Sequence, residues 1–145
     1  MKVVIAGAGF GGLRLARELN NKNGFEVTLV DRFNYHQFQP LFYQVATAGL
    51  DASNISFPLR KVFHNSKNVR IRLANIERID TEAKAVITDS GPIPYDTLVI
   101  ATGAGTNFFG NTKSISISNY SNNLTIYSKL YSTNNKSNNY ASSVR

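Results

Sequence analysis

The sequence predicts an α/β fold built on a parallel sheet, and three observations support that prediction. An apolar run over residues 3–6 leads directly into a glycine cluster, after which apolar residues recur at helical spacing. A second apolar stretch, residues 25–30, completes a strand–helix–strand unit of about 30 residues, whose two strands are normally parallel. The continuous apolar run 98–101 is typical of a parallel strand that is buried on both faces.

The glycine cluster has the spacing G-x-G-x-x-G, at Gly7, Gly9 and Gly12. Between a strand and a helix, Gly7 would allow a tight turn, Gly9 would let a pyrophosphate approach the backbone, and Gly12 would let the helix pack closely on the strand. The helix N-terminus would add unpaired N–H groups and about half a positive charge. The motif alone is weak, but in this setting it predicts a dinucleotide site.

The helix after the cluster is predicted to be amphipathic, because Leu13, Ala16 and Leu19 recur at helical spacing with charged residues between them. Residues 20–24 are expected to end this helix, with Gly24 as the candidate C-terminal glycine.

Asp31 comes directly after the second predicted strand. An acidic residue about 20 positions beyond such a glycine cluster is expected to accept hydrogen bonds from a ribose. The alternative is an aspartate that forms a turn at the end of a strand. Arg32 either flanks an adenosine or is solvated.

Residues 33–50 are rich in aromatic and amide side chains. Pro40 is expected to open a short helix over residues 41–48, which Gly49 would end. Three aromatic residues either pack in the core, which the sequence alone favours, or form the wall of a site for a flat aromatic ligand: Phe38, Phe42 and Tyr43.

The second half of the sequence predicts a helix and then strands. Ser56 is the candidate N-cap of a helix that has Pro58 in its first turn. Residues 69–73 alternate apolar and polar, as a half-buried strand does. Short apolar stretches between residues 76 and 93, separated by turn sequences, predict a small antiparallel β-meander.

Thr102 and Gly103 follow the apolar run 98–101. At the carboxyl end of a parallel strand, a threonine hydroxyl can bond a ligand and a glycine lets the backbone approach it closely. The alternative is a strand followed by an ordinary loop.

The composition excludes several classes of function. With no cysteine, the chain can form no disulfide, thiolate metal site or redox-active cysteine pair. His36 has no partner at metal-ligand spacing and His64 is expected at the surface, so no metal site is predicted. All nine acidic residues precede Thr112, and this nearly balanced body with a basic tail does not predict nucleic-acid binding. No apolar run approaches the roughly 18 residues that span a bilayer, and no signal peptide is predicted, so we expect a cytoplasmic protein.

These motifs resemble the N-terminal part of the flavoproteins with two dinucleotide-binding domains, the FAD/NAD(P)-binding pyridine nucleotide-disulphide oxidoreductase superfamily. More narrowly, they resemble the type II NADH:quinone oxidoreductases. The glycine cluster and residues 95–103 are shared across the superfamily. The sequence Pro-Leu-Phe-Tyr-Gln-Val-Ala-Thr-Ala-Gly at residues 40–49 is more specific to the NADH:quinone branch. The resemblance covers residues 1–111.

The resemblance implies a Rossmann-like domain that binds FAD, rather than NAD, at this first site. The residues that would surround the pyrophosphate are Gly7, Ala8, Gly9, Phe10, Gly11 and Gly12. Thr102 and Gly103 would close over the diphosphate side.

The same resemblance assigns the remaining contacts. Asp31 and Arg32 would take the ribose and adenosine, and the Ile76 backbone would lie near the adenine. Residues 39–47 would lie towards the flavin ring, which favours the ligand-wall interpretation of their aromatic side chains. No catalytic acid or base is identifiable.

The family resemblance also implies the reaction. Hydride would pass from NADH to FAD and electrons would then reach a membrane quinone, with the full-length protein peripheral to the inner face of the cell membrane. The alternative is a non-catalytic FAD- or nucleotide-binding module, or an inactive gene fragment.

The composition changes at Thr112. Residues 112–145 contain no glycine, proline, acid or phenylalanine, and serine and asparagine make up nearly half of them, which predicts an irregular or disordered tail. We hypothesise that the tail is aberrant or out-of-frame translation; the rival is a disordered tail that binds a partner or a surface. The predicted domains are therefore 1–111, an incomplete FAD-binding domain without its closing strand and helix, and the tail 112–145.

Overall fold

A computed structural model describes residues 1–103 of the chain. The predicted tail 112–145 and the last part of the predicted first domain, residues 104–111, lie outside the described residues. The described residues fall into two compact units. One comprises Met1–His36 together with the chain from Phe57 onward, and the other is Gln37–Ser56.

The secondary structure of the described residues alternates strands and short helices. The strands are β1 (Lys2–Ala6), β2 (Glu26–Asp31), β3 (Tyr35–Gln37), β4 (Ser56–Pro58), β5 (Val69–Leu73), β6 (Ile76–Asp80), β7 (Ala85–Thr88), β8 (Gly91–Pro94) and β9 (Thr97–Ile100). The α-helices are α1 (Phe10–Leu19), α2 (Phe42–Ala46) and α3 (Leu59–Val62), and single 3-10 turns span Gln39–Leu41 and Ala52–Ile55. Within residues 1–103, no helix has the length and apolar character that crossing a membrane requires.

Four strands form a parallel sheet in the order β5-β2-β1-β9, which confirms the α/β prediction. The chain runs from β1 to β2 and β5 on one side and adds β9 on the other side of β1. The strand order therefore reverses between β1 and β9. Open α/β sheets bind ligands at such a reversal, beyond the carboxyl ends of the strands.

The sheet is buried by different partners on its two faces. Successive side chains of a strand point to opposite faces, so a strand covered on both sides reads as a continuous apolar run. One buried cluster joins β1 and β2 to α1 and includes Val3, Ile5, Leu13, Ala16 and Leu29. The opposite cluster joins the same strands to β7 and includes Val4, Val30 and Val86. Each of the large side chains contributes about 1.5–3 kcal/mol through burial.

The predicted amphipathic helix is confirmed as α1, in which Gly12, Leu13 and Ala16 are buried. Its outer face carries an ion pair between Arg14 and Glu18, whose nearest charged atoms are 2.7 Å apart. Both side chains are largely exposed, so this pair stabilises the fold only weakly.

The expectation that Gly24 ends α1 is wrong. The helix ends at Leu19 with Asn20 as its C-cap, whereas Gly24 lies in the turn before β2 with a φ of 85°. The left-handed position after the helix is taken by Asn21, with a φ of 58°, and the Leu19 carbonyl accepts from the backbone N–H of Lys22. The Nδ2 of Asn68 also donates to the carbonyls of Leu19, Lys22 and Phe25, which holds this turn from a remote segment.

The prediction that Ser56 is a helix N-cap is also wrong, because Ser56 is extended in β4 and Pro58 is the N-cap of α3. The Ser56 hydroxyl instead donates to the carbonyl of Ala52, in the preceding 3-10 turn. That turn is capped by Asp51, whose carboxylate accepts from the backbone N–H of Ser53 at 2.8 Å.

The antiparallel meander is confirmed, with strand order β6-β7-β8. The expectation that the 98–101 strand is buried on both faces holds only in part within the described residues. Leu98 and Val99 are half-buried, whereas Ile100 is 65% exposed. Leu98 and Val99 still pack against opposite core clusters, which explains why the run is apolar throughout.

The aromatic segment has its own short elements, α2 and two 3-10 turns, in the unit Gln37–Ser56. Gly49 donates its N–H to the carbonyl of Gln44 at 2.7 Å, as expected of a residue that ends a helix. Core packing, which the sequence alone favours for the aromatic residues, is wrong for Phe38 and Tyr43, whose side chains are 40% and 62% exposed.

Candidate functional site

An open cleft of about 310 Å³ lies beyond the carboxyl ends of β1, β2, β5 and β9. Five of its lining residues are also predicted from the sequence to contact the cofactor: Gly7, Asp31, Arg32, Ile76 and Thr102. The other lining residues are Val30, Ala74 and Asn75, which sequence reasoning missed. The remaining predicted contacts, Ala8, Gly9, Phe10, Gly11, Gly12 and Gly103, adjoin Gly7 or Thr102 in the sequence.

The glycine loop between β1 and α1 has no room for side chains at two positions. Gly7 has a φ of 102°, and a Cβ there would lie 2.5 Å from the carbonyl oxygen of Ala101. A Cβ at Gly12 would lie 1.8 Å from the carbonyl oxygen of Gly7. The predicted tight turn and the predicted close helix packing are both confirmed. At Gly9 the nearest atom would be 4.0 Å away, and its proposed approach to a pyrophosphate stays a prediction.

The N-terminus of α1 has no capping side chain. Gly9 is its N-cap residue, and the first turn contains no acidic residue. The first N–H groups of a helix have no acceptor inside the helix, and the helix dipole places partial positive charge there. This end of α1 is therefore suited to an anion such as a diphosphate.

Asp31 already accepts two backbone hydrogen bonds. Its Oδ1 accepts from the N–H of Phe33 at 2.9 Å, which is the strand-end turn that the sequence leaves as an alternative. Its Oδ2 accepts from the N–H of Ala8 at 2.6 Å, which ties β2 to the glycine loop. An ionised carboxylate has about four acceptor positions, so Asp31 keeps capacity for ribose hydroxyls while it holds the loop.

Arg32 supplies positive charge at the wall of the cleft. Its guanidinium carbon lies 4.9 Å from the centre of the Phe33 ring, and that ring stacks on Tyr35 with centroids 5.4 Å apart. Burial raises the pKa of the Tyr35 hydroxyl, and the nearby Asp31 carboxylate raises it further. Tyr35 is therefore neutral at physiological pH. The exposed guanidinium of Arg32 stacks on Phe33 and places a positive charge beside Asp31.

The opposite wall of the cleft is the connection from β5 to β6, which contains Ala74, Asn75 and Ile76. Ala74 donates its N–H to the backbone carbonyl of Asp31 at 3.0 Å. Asn75 donates its backbone N–H and its side-chain amide to the two carboxylate oxygens of Asp89, at 3.1 and 2.9 Å. Asp89 returns a hydrogen bond from its own N–H to the Asn75 carbonyl.

The two histidines differ in their surroundings. Within residues 1–103, no group of three or more His, Asp or Glu side chains is placed to hold a metal ion. His64 is exposed, as expected. His36 is buried, which its sequence context does not reveal.

Comparison with known proteins identifies the family. The family model described as pyridine nucleotide-disulphide oxidoreductase matches residues 1–138, nearly the whole chain. The chain belongs to this family. The resemblance drawn from the glycine cluster and the aromatic segment is thereby confirmed at the level of the family.

The relatives of this chain include proteins named type II NADH:quinone oxidoreductases. The type II NADH:quinone oxidoreductase Ndh of Mycobacterium tuberculosis is 40% identical over 114 residues, which are 76% of this chain and 24% of that protein. Similar proteins of Staphylococcus epidermidis are 30% identical over 112 residues. The chain therefore spans about a quarter of the length of the relatives it matches.

Solved structures agree with the fold. The sulfide:quinone oxidoreductase of Aquifex aeolicus superposes with a TM-score of 0.68 at 36% identity, over 74% of this chain and 25% of that one. NDH2 of Plasmodium falciparum in complex with NADH gives a TM-score of 0.67 at 26% identity, over 75% of this chain and 23% of that one. Two solved proteins, one named a sulfide:quinone oxidoreductase and one in complex with NADH, thus share this α/β fold.

Proposed function

We propose that this chain supplies the FAD-binding part of a type II NADH:quinone oxidoreductase. The observation that carries the proposal is the position of the uncapped N-terminus of α1, at the end of β1 where the strand order reverses. A cleft with the ribose-binding candidate Asp31 opens at the same sheet edge. The names of the relatives support the choice of NADH and a quinone as the reaction partners.

The residues present fit a dinucleotide cofactor. The loop turns tightly and brings α1 close to β1, so side chains at Gly7 and Gly12 would collide with the backbone. Asp31 lies between the glycine loop and the far wall of the cleft, where a ribose would join a diphosphate to an adenine. The cleft suits the adenosine diphosphate half that FAD and NAD share, and the family resemblance favours FAD.

The chain's own groups would act by binding and orienting. The N–H groups at the start of α1 would bond the diphosphate, and Asp31 would accept hydrogen bonds from the ribose. Ile76 would lie against the adenine, and Thr102 and Gly103 would close the diphosphate side. Bound FAD would supply the hydride and electron-transfer chemistry between NADH and a quinone, while the protein supplies position and electrostatics.

The cellular setting follows from the same proposal. A quinone dissolved in the membrane would require the whole protein to work at the membrane surface, and NADH would require that surface to face the cytoplasm. We therefore place the whole protein at the inner face of the cell membrane as a peripheral protein. Residues 1–111 would form the FAD domain in this proposal, with residues 112–145 as a separate tail.

A second candidate function is FAD or nucleotide binding without catalysis. The observation that favours it for these 145 residues is that they contain one G-x-G-x-x-G sequence, at Gly7, Gly9 and Gly12. Binding FAD and NADH together in this family architecture would use two such motifs. This candidate concerns the polypeptide of 145 residues and leaves the first proposal for the whole protein unchanged.

The experiment that tests both candidates uses the purified 145-residue chain. We expect flavin absorbance at one FAD per chain, or one-to-one binding of added FAD in a calorimetric titration. Anaerobic addition of NADH then tests whether these 145 residues catalyse by themselves: bleaching supports a reductase, and stable flavin absorbance supports binding without catalysis. A chain that is folded by circular dichroism but binds no FAD contradicts both.

A further inference from the structure

His36 is buried next to the glycine loop, with 5% of its surface exposed. Its Nδ1 lies 3.0 Å from the carbonyl oxygen of Ala8. A carbonyl oxygen can only accept a hydrogen bond, so Nδ1 carries the proton and donates it to Ala8. The hydrogen bond therefore fixes the histidine tautomer as well as the position of the loop.

Two phenylalanines fix the orientation of the His36 ring. Phe10, the first residue of α1, meets the imidazole edge-on, and the ring centroids are 5.1 Å apart. Phe57 packs at a tilted angle, also with a 5.1 Å separation between centroids. Because the ring is buried and contacted by aromatic rings of α1 and β4, its Nδ1 has little freedom to leave the Ala8 carbonyl.

Ala8 is consequently held on both sides. Its N–H donates to Oδ2 of Asp31 at 2.6 Å, and its carbonyl accepts from His36. These two bonds orient the peptide groups before and after Ala8. In a trans peptide the C=O and the following N–H point in opposite directions, so the Gly9 N–H points away from His36. Asp31 and His36 together therefore set the direction of successive N–H groups in the loop.

We propose that His36 is a positioning residue for the diphosphate-binding loop. It holds the Ala8–Gly9 peptide in the orientation that binds a diphosphate before the ligand arrives. A loop that is already ordered loses less conformational freedom on binding, and that difference increases affinity. This inference rests on the proposed function, because it assumes that the loop binds the diphosphate of a dinucleotide.

Two substitutions of His36 separate the hydrogen bond from the packing. His36→Phe keeps an aromatic ring but has no donor for the Ala8 carbonyl. His36→Asn lacks the ring but carries an amide Nδ2 that can donate from a position close to that of the imidazole Nδ1. Thermal unfolding of each variant in the full 145-residue chain, without ligand, reports any loss of folding and is compared with the binding data.

The binding probes are ADP and adenosine, titrated into the ligand-free chain. ADP contains the diphosphate, whereas adenosine uses only the ribose and adenine side of the cleft. We expect His36→Phe to weaken ADP binding by about threefold to tenfold, the effect of one lost hydrogen bond, and to leave adenosine binding within about twofold. His36→Asn should recover most of the ADP affinity. Equal losses for ADP and adenosine, or unchanged ADP binding in a folded His36→Phe variant, would overturn the proposal.

A measurement on the unmodified chain tests the proposal even if the His36 variants fail to fold. Nitrogen-15 NMR of the ligand-free protein distinguishes the two neutral histidine tautomers, and a His64→Gln variant assigns the signals. We expect the Nδ1-protonated tautomer at His36, and the Nε2-protonated tautomer would overturn the positioning role. If the unmodified chain binds neither FAD nor ADP, the proposed function fails, while the tautomer still decides whether His36 holds Ala8.

Discussion

The two walls of the cleft are built on opposite principles. The glycine loop, residues 7–12, takes its shape from missing side chains, since a Cβ at Gly12 would lie 1.8 Å from the Gly7 carbonyl oxygen. The β5–β6 connection, residues 74–76, takes its shape from side chains that are present. There Asn75 is fixed by the carboxylate of Asp89, from the turn between β7 and β8.

This difference determines how each wall should respond to mutation. The glycine loop is intolerant of added atoms, and a single methyl group should displace backbone that the whole sheet edge depends on. The β5–β6 connection is sensitive to removed atoms, and losing a carboxylate should free one exposed side chain without disturbing the core. Substitutions in the glycine loop should therefore impair folding and binding together. Substitutions in the β5–β6 connection should impair mainly binding.

Gly12→Ala should have the largest effect. The new methyl group would overlap the Gly7 carbonyl oxygen and also lie 3.2 Å from Cγ2 of Ile5, so α1 would have to move off β1. We expect a loss of about 3 kcal/mol or more in the free energy of unfolding, together with loss of FAD binding. Denaturant unfolding of the full chain, followed by circular dichroism, measures the first effect, and a flavin titration measures the second.

Gly11→Ala is the matched control for that substitution. It places the same methyl group one residue earlier in α1, where no atom lies within 4 Å. Alanine is the better helix former, so stability should stay constant or rise by up to about 1 kcal/mol. Similar losses in both variants would mean that glycine is needed for a reason other than the close approach of α1 to β1.

Gly7→Ala should have the next largest effect, about 2–3 kcal/mol, because it combines backbone strain with a close contact. The φ of 102° disfavours any L side chain, and the Cβ would lie 2.5 Å from the carbonyl oxygen of Ala101. Ala101 follows β9, which has one neighbouring strand in the described sheet. Ala101 can therefore move away from a new methyl group at residue 7 more easily than Gly7 can move away from one at residue 12.

Gly91→Ala isolates the strain in that result. Gly91 has nearly the same backbone angle, a φ of 105°, with no atom within 4 Å of its would-be Cβ. We expect a loss of about 1–2 kcal/mol in the free energy of unfolding. The difference between the two variants, measured by denaturant unfolding under identical conditions, then gives the contribution of the Gly7–Ala101 approach. Equal losses would show that the approach contributes nothing.

The difference between the glycine loop and the β5–β6 connection also explains what the sequence could predict. The glycine loop, α1 and the meander are specified by local spacing, so Gly7, Gly12 and the apolar stripe of α1 are recognisable without a structure. Asp31 could be selected by its distance from the glycines. Thr102 could be selected by its position after the apolar run 98–101, and the family resemblance added Ile76; both residues line the cleft.

Several features that the sequence did not reveal are contacts between distant segments. Asn68 donates to the carbonyl of Leu19 from 49 residues further along the chain, a contact that no local pattern predicts. His36 reaches Ala8 across 28 residues, and Asp89 reaches Asn75 across 14. Such pairs have no periodicity, because each is set by how the sheet and meander pack and not by the spacing of residue types.

Asp89→Ala should have the smallest effect on stability and a selective effect on binding. It removes both acceptors of Asn75 at an exposed position, so we expect a loss of about 1 kcal/mol or less in the free energy of unfolding. Asn75 and Ile76 line the cleft, on the side where we propose that adenosine binds, and freeing them should weaken adenosine and ADP binding alike, by about threefold to tenfold. Calorimetric titration of both ligands measures this effect.

Asp80→Ala is the control, because Asp80 also stabilises a turn of the meander by accepting from the N–H of Ala83 but does not line the cleft. It should reduce stability by a similar amount and leave both affinities unchanged. If Asp80→Ala weakened adenosine binding as much as Asp89→Ala, the meander would act on the cleft through its overall stability. The alternative result, an effect confined to Asp89, would mean that one carboxylate sets the shape of this wall, in contrast to the glycine loop, where backbone contacts set it.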